Sequence, residues 1–153
     1  MAWNTNARTD LAADDSLPTG IGSWLVAQER LCAEIPIAVE FTDQTTTNAT
    51  YETLTSFTFQ TPDYGAGTFY LYLWPDAYVS SGTQQFRIRT NANNGTEVDV
   101  TQAASHADTT AGSKVLLSAA NTVTTIFVEG HTDGVETLHV QMVDRITAWV
   151  AGA

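Results

Sequence analysis

The amino-acid sequence predicts an all-β fold: antiparallel strands in two packed sheets, preceded by a polar amino-terminal arm and one short helix. Three observations point there. From Ile35 onward, apolar residues alternate with polar ones, the period of a half-buried strand. Turn signals recur at intervals near the ~8–12 residues typical of a sandwich. Charged residues make up only 15% of the chain, and Thr, Asn, Ser and Gln supply the missing polarity, as on exposed sheet faces where Thr fits the pleat. The 153 residues fit one domain. A hydrophobic share of 43% gives that domain a core without disulfide staples.

The elements follow in order. Residues 1–20 lack periodicity and carry Trp3, Leu11 and Leu17 as isolated apolar anchors before Pro18-Thr19-Gly20, so they read as an arm. The rest, 21–153, reads as the β domain. Ser23 is a suitable N-cap, and Trp24, Leu25, Gln28, Leu31 and Cys32 repeat at helical spacing. A helix is predicted over 23–33, and Pro36 stops it. Ile35, Ile37, Val39 and Phe41 then form one strand, and Thr53, Thr55, Phe57 and Phe59 a second, with Leu54 on the opposite face. Phe69, Leu71 and Leu73 share one face of a third strand; Tyr70, Tyr72 and Trp74 share the other. Two bulky faces predict a central or interfacial position. Phe86 and Ile88 alternate with Arg87 and Arg89, a fourth strand with a wet face. Asn94-Gly95 predicts a hairpin leading into 97–101. Residues 102–112 read as a loop, followed by a short strand at Val115 and Leu117, a turn at Asn121, and a strand through Val128. Asp133-Gly134 predicts a second hairpin, into a last strand carrying Leu138, Val140, Met142, Ile146, Ala148 and Val150 on one face. A strand that long should bend, and Asp144-Arg145 is the expected place. The total is about eight strands, for which a jelly roll is the first choice of architecture.

Charge and motifs then exclude several classes. The net charge of −11 reflects only six cations among 153 residues. Nucleic acid and anionic membranes both need a cationic patch, so neither is an expected partner. Cys32 is alone and sits among apolar neighbours, which makes it an inert thiol. The sequence has no phosphate-binding glycine pattern and no nucleophile elbow. Glu40, Glu52, Asp63, Asp76 and Asp99 could supply a glycosidase pair, but seventeen acids on a small chain also meet by chance. His106-x-Asp108 and His131-x-Asp133, with His139, could bite a cation if they lay on strands. Both fall in predicted loops, where such residues make ordinary turns. Asp63, Asp76, Asp108 and Asp133 lack any calcium-loop spacing. No catalytic residue, metal centre or cofactor is therefore expected. Tyr64, Phe69, Tyr70, Tyr72, Trp74 and Tyr78 form an aromatic set suited to subunit contact or, alternatively, to stacking a sugar.

Two segments carry a resemblance. Met1-Ala2-Trp3-Asn4-Thr5, continuing through Leu17-Pro18-Thr19-Gly20 and the helix, resembles the amino-terminal arms of tailed-bacteriophage structural proteins. Leu138-His139-Val140-Gln141-Met142 to Ile146-Thr147-Ala148-Trp149-Val150 is similar to the last strand of trimeric jelly-roll heads on capsid decoration proteins and tail fibres. The resemblance implies a non-enzymatic capsid decoration (cement) protein, made in the host cytoplasm and carried on the virion surface. It further implies a homotrimer whose partner is the major capsid protein, held through Trp3, Leu11 and Leu17 of the arm. Tyr70, Tyr72 and Trp74 would serve ligand or subunit contact. The alternative is a tail-fibre or receptor- and carbohydrate-binding β-sandwich.

Overall fold

The alternation of apolar and polar residues is broken into short runs, and the chain changes sheet at most of the breaks. The computed structural model describes residues 35–37, 39–61, 68–108, 111–143 and 148–152. The expected arm, the helix over 23–33, Cys32, Asp63 and Tyr64 lie outside them. Among the described residues there are twelve strands and no helix.

The strands are β1 (Ile35–Ile37), β2 (Phe41–Thr46), β3 (Glu52–Gln60), β4 (Phe69–Leu73), β5 (Asp76–Val79) and β6 (Thr83–Arg89), then β7 (Val98–Thr101), β8 (Ala107–Asp108), β9 (Ser113–Leu117), β10 (Val123–His131), β11 (Leu138–Met142) and β12 (Ala148–Gly152). They form three four-stranded sheets with the orders β1-β12-β4-β9, β2-β11-β5-β8 and β3-β10-β6-β7. Every strand pairing is antiparallel. The three orders are one order repeated. The chain runs β1-β2-β3 through all three sheets, then β4-β5-β6 in the same sense, then β7-β8-β9 and β10-β11-β12 in the reverse sense. In each sheet the four paths lie in the order first, fourth, second, third. The fold is thus all-β and antiparallel, consistent with a β-sandwich.

The expectation of about eight strands is replaced by twelve because long strands bend and change sheet, as twisted strands wrapping a core must. The strand expected from Ile35 to Phe41 is two, β1 and β2, in different sheets. The final strand is likewise split between β11 and β12, on either side of Asp144-Arg145, which lie outside the described residues. The region expected as a loop at 102–112 contains the two-residue β8, paired with Asp76 and Ala77.

One core joins the inner faces. Phe69, Leu71, Leu73, Val115 and Leu117 come from the first sheet, Ala77, Val79, Leu138, Val140 and Met142 from the middle one, and Phe86, Ile88, Val98, Val100, Ile126 and Val128 from the third. Leu54 packs against this core together with Phe57 and Phe59. A bulge explains it: Val128 pairs with Thr55 but Glu129 pairs with Thr53, so Leu54 is the extra residue. Alternation alone had placed it on the other face.

Both hairpin expectations need correction. β6 and β7 do form a hairpin, but its tight turn spans Thr90–Asn93, where Thr90 N–H donates to the Asn93 carbonyl at 2.8 Å. Thr90 Oγ1 also accepts from the N–H of Ala92 and Asn93. Gly95 instead serves close packing, since a Cβ there would lie 2.2 Å from the Ile88 carbonyl oxygen. Asp133-Gly134 does turn the chain, with Gly134 at φ 87°. It leads from β10 in the third sheet to β11 in the middle one, and the two strands do not pair.

Candidate functional site

The middle sheet shows strict alternation along β11: Leu138, Val140 and Met142 are fully buried, while His139 and Gln141 reach the outer face. Antiparallel register places Tyr78 of β5 directly beside His139. Asp43 arrives from β2 on the other flank of β11, and His106 from the residue preceding β8. The outer face of this sheet therefore gathers three residues that are 63 and 33 positions apart in the chain.

The geometry is convergent. The Nδ1–H of His139 donates to Asp43 Oδ2 at 2.8 Å, and His106 Nε2 lies 3.4 Å from Asp43 Oδ1. One donor atom from each of the three residues falls within 4.8 Å of the other two. The Tyr78 ring fixes both imidazoles, stacking on His139 at 4.2 Å and 10° and meeting His106 edge-on at 4.8 Å and 86°. On its far side His106 Nδ1 is 3.3 Å from the Asp76 carbonyl oxygen. Burial lowers the His106 pKa below 6.5, with the His139 ring adding to the effect and Asp43 opposing it. An open depression of about 470 Å³ adjoins the cluster, lined by Tyr78, Ser80, Gln102, Ala103 and Ala104.

The other candidate residues are distributed elsewhere. Tyr70, Tyr72 and Trp74 form a half-buried ladder along β4. Tyr72 stacks on Trp74 at 5.8 Å, Tyr70 meets Tyr72 at 6.2 Å, and Lys114 Nζ sits 5.0 Å from the Tyr70 centroid. β4 is an inner strand between β12 and β9, as its two bulky faces predicted. The Trp74 ring also covers Gly112, where a Cβ would come within 2.2 Å of ring carbons. Trp74 is thus partly a packing residue. The arm anchors Trp3, Leu11 and Leu17 lie outside the described residues.

His131 and Asp133 do not act as a pair. Asp133 makes the ordinary turn, with its Oδ1 accepting from the N–H of Val135 and Glu136, and those bonds hold its pKa below 3.8. His131 is occupied on the third sheet, where it bonds Gln85 at 3.0 Å and meets the Tyr51 ring at 4.4 Å. Asp43 was missed because nothing within its own strand marks it. Its role depends on which strand pairs with β2. Among the carboxylates considered for glycoside chemistry, Glu52 accepts a hydrogen bond from Thr46 and Asp99 accepts one from Gln85.

The strand with the expected wet face also differs. Arg87 and Arg89 both donate to Glu129, the former at 3.0 Å, and the Glu129 side chain is only 6% exposed. Each guanidinium also covers a ring, Arg87 over Tyr51 at 3.9 Å and Arg89 over Phe127 at 4.3 Å. This is a half-buried ion network, not a solvated face. Comparison with known proteins finds no matching family model, no matching curated protein and no matching solved structure.

Proposed function

We propose that this chain is a non-catalytic structural protein of a phage particle: a capsid decoration protein that assembles as a homotrimer on the head surface and binds the major capsid protein. The observation that carries this reading is the strand order. Four paths in the order first, fourth, second, third, each passing through all three sheets, support a jelly-roll wrapping. On this reading β1-β12-β4-β9 and β3-β10-β6-β7 are its two sheets, and the middle sheet is where each path bends. A fold hosts many functions, and the choice among them rests on the resemblance of the two end segments and on the sparse cations, which disfavour nucleic acid and anionic lipid. The Tyr70–Tyr72–Trp74 ladder supplies aromatic surface of the kind enriched at subunit contacts.

The test is binding to capsids stripped of decoration protein, with light scattering on the free chain. The expected result is a trimer whose saturable capsid binding is lost on deleting residues 1–20, with an unchanged Tm. Trp3→Ala should weaken binding by ~2 kcal/mol or more if the ring fills a pocket. A stable monomer that does not bind capsids would overturn the reading. The depression beside Tyr78 favours a second reading, a receptor- or carbohydrate-binding module. Glycan binding that Tyr70→Ala or Tyr78→Ala abolishes would select it; Trp74 is less suitable because it also packs on Gly112.

A further inference from the structure

We propose that Asp43, His106 and His139 form a binding site for one zinc ion on the outer face of the middle sheet. The argument begins with hydrogen-bond roles. A backbone carbonyl only accepts, so the 3.3 Å contact of His106 Nδ1 with the Asp76 oxygen places the ring proton on Nδ1. The neutral ring then presents the Nε2 lone pair to Asp43 Oδ1, 3.4 Å away, and a carboxylate oxygen is also an acceptor. Two acceptors facing each other need a positive species between them. A metal cation bound by both atoms supplies one.

The same contact is the outer-shell arrangement of metal-binding histidines, in which the nitrogen away from the metal donates to a carbonyl and fixes the tautomer. Spacing agrees as well. Tetrahedral zinc with bonds of about 2.0–2.1 Å sets its ligand atoms about 3.3 Å apart. His106 and Asp43 already stand at 3.4 Å. The His139–Asp43 contact of 2.8 Å is a hydrogen bond whose proton the metal would displace, with the ring proton moving to Nε2. Two imidazoles with one carboxylate suit zinc and its transition-metal neighbours, and not calcium or magnesium, which take oxygen ligands. Three ligands from separate strands and a loop, held by the Tyr78 ring, leave the fourth position to water on the solvent side. This site stands independently of the virion reading.

The test is calorimetric titration of zinc chloride into the chelator-treated full-length protein. The expected result is one ion per chain. Losing a direct ligand, as in His106→Ala, His139→Ala or Asp43→Asn, should cost more than the about 10–100-fold that loss of an outer partner costs. His131→Ala, which removes the histidine bonded to Gln85 on the third sheet, should bind as the unaltered chain does. Circular dichroism of each metal-free variant checks folding, and cobalt(II) bound to the unaltered chain should give the intense visible bands of a four-coordinate site. Failure of the unaltered chain to take up zinc or cobalt at micromolar concentration would overturn the proposal. So would stoichiometric binding that survives in the folded His106→Ala/His139→Ala double variant.

Discussion

The outer faces of the third and middle sheets answer the same problem differently. On the third sheet Glu129 is buried, and two guanidinium groups from β6 close on it. Arg87 extends the network to Glu97 at 3.6 Å, and Tyr51 and Phe127 shield the cationic planes. On the middle sheet Asp43 meets two imidazoles that carry no obligatory charge. The first arrangement is electrostatically complete with the residues it has. The second holds a carboxylate and two nitrogens in convergent geometry and leaves the positive species to come from outside. The difference teaches how the same strand register can build a structural lock on one sheet and a receptive site on another. Six cations serve the whole chain, and two of them are committed to Glu129.

The comparison can be broken at several points. Glu129→Gln should destabilise most, by about 3 kcal/mol or more, because it takes the shared counter-charge from two half-buried guanidinium groups and leaves Arg87 only the more exposed Glu97. Urea unfolding reads this directly, and a loss below about 0.5 kcal/mol, the level of an ordinary surface change, would show that the network is not a lock. Zinc at about a hundred times its Kd should raise the stability of the unaltered chain by about 2.7 kcal/mol and leave Asp43→Asn unmoved, as thermal melts with and without metal would show. Without metal, Asp43→Asn should stay within about 0.5 kcal/mol of the unaltered chain, since Asp43 lies on an exposed face. A larger loss would mean that the trio is structural. The smallest effect belongs to Asp133. Its folded pKa is depressed below 3.8 by the turn amides, so its contribution is present above that value and lost as pH falls through the folded one. The Tm difference between the unaltered chain and Asp133→Ala should be present at neutral pH and shrink as pH falls below 3.8.

Much of this architecture was legible before any coordinates. The alternations at Phe69–Leu73, Phe86–Ile88 and Leu138–Met142 named side chains that are buried. Asn121, read as a turn, carries a positive φ of 47°. Other features were opaque for a definite reason. Leu54 turns inward only because of a bulge opposite Val128 and Glu129, and a bulge depends on the partner strand. Asn94-Gly95 matched a hairpin turn, yet Gly95 is needed for its close approach to the Ile88 carbonyl.

By itself, then, the sequence determined the period of most strands, most of the inward side chains and the approximate positions of several chain reversals. These depend on neighbours two to four residues away and on the local cost of exposing apolar surface. Only the tertiary structure decided that the strands bend through three sheets, that Arg87 and Arg89 close on Glu129, and that Asp43 stands between His106 and His139. Each of those outcomes follows from which strands lie side by side, and that is set by the global packing of the core, which no short window of residues contains.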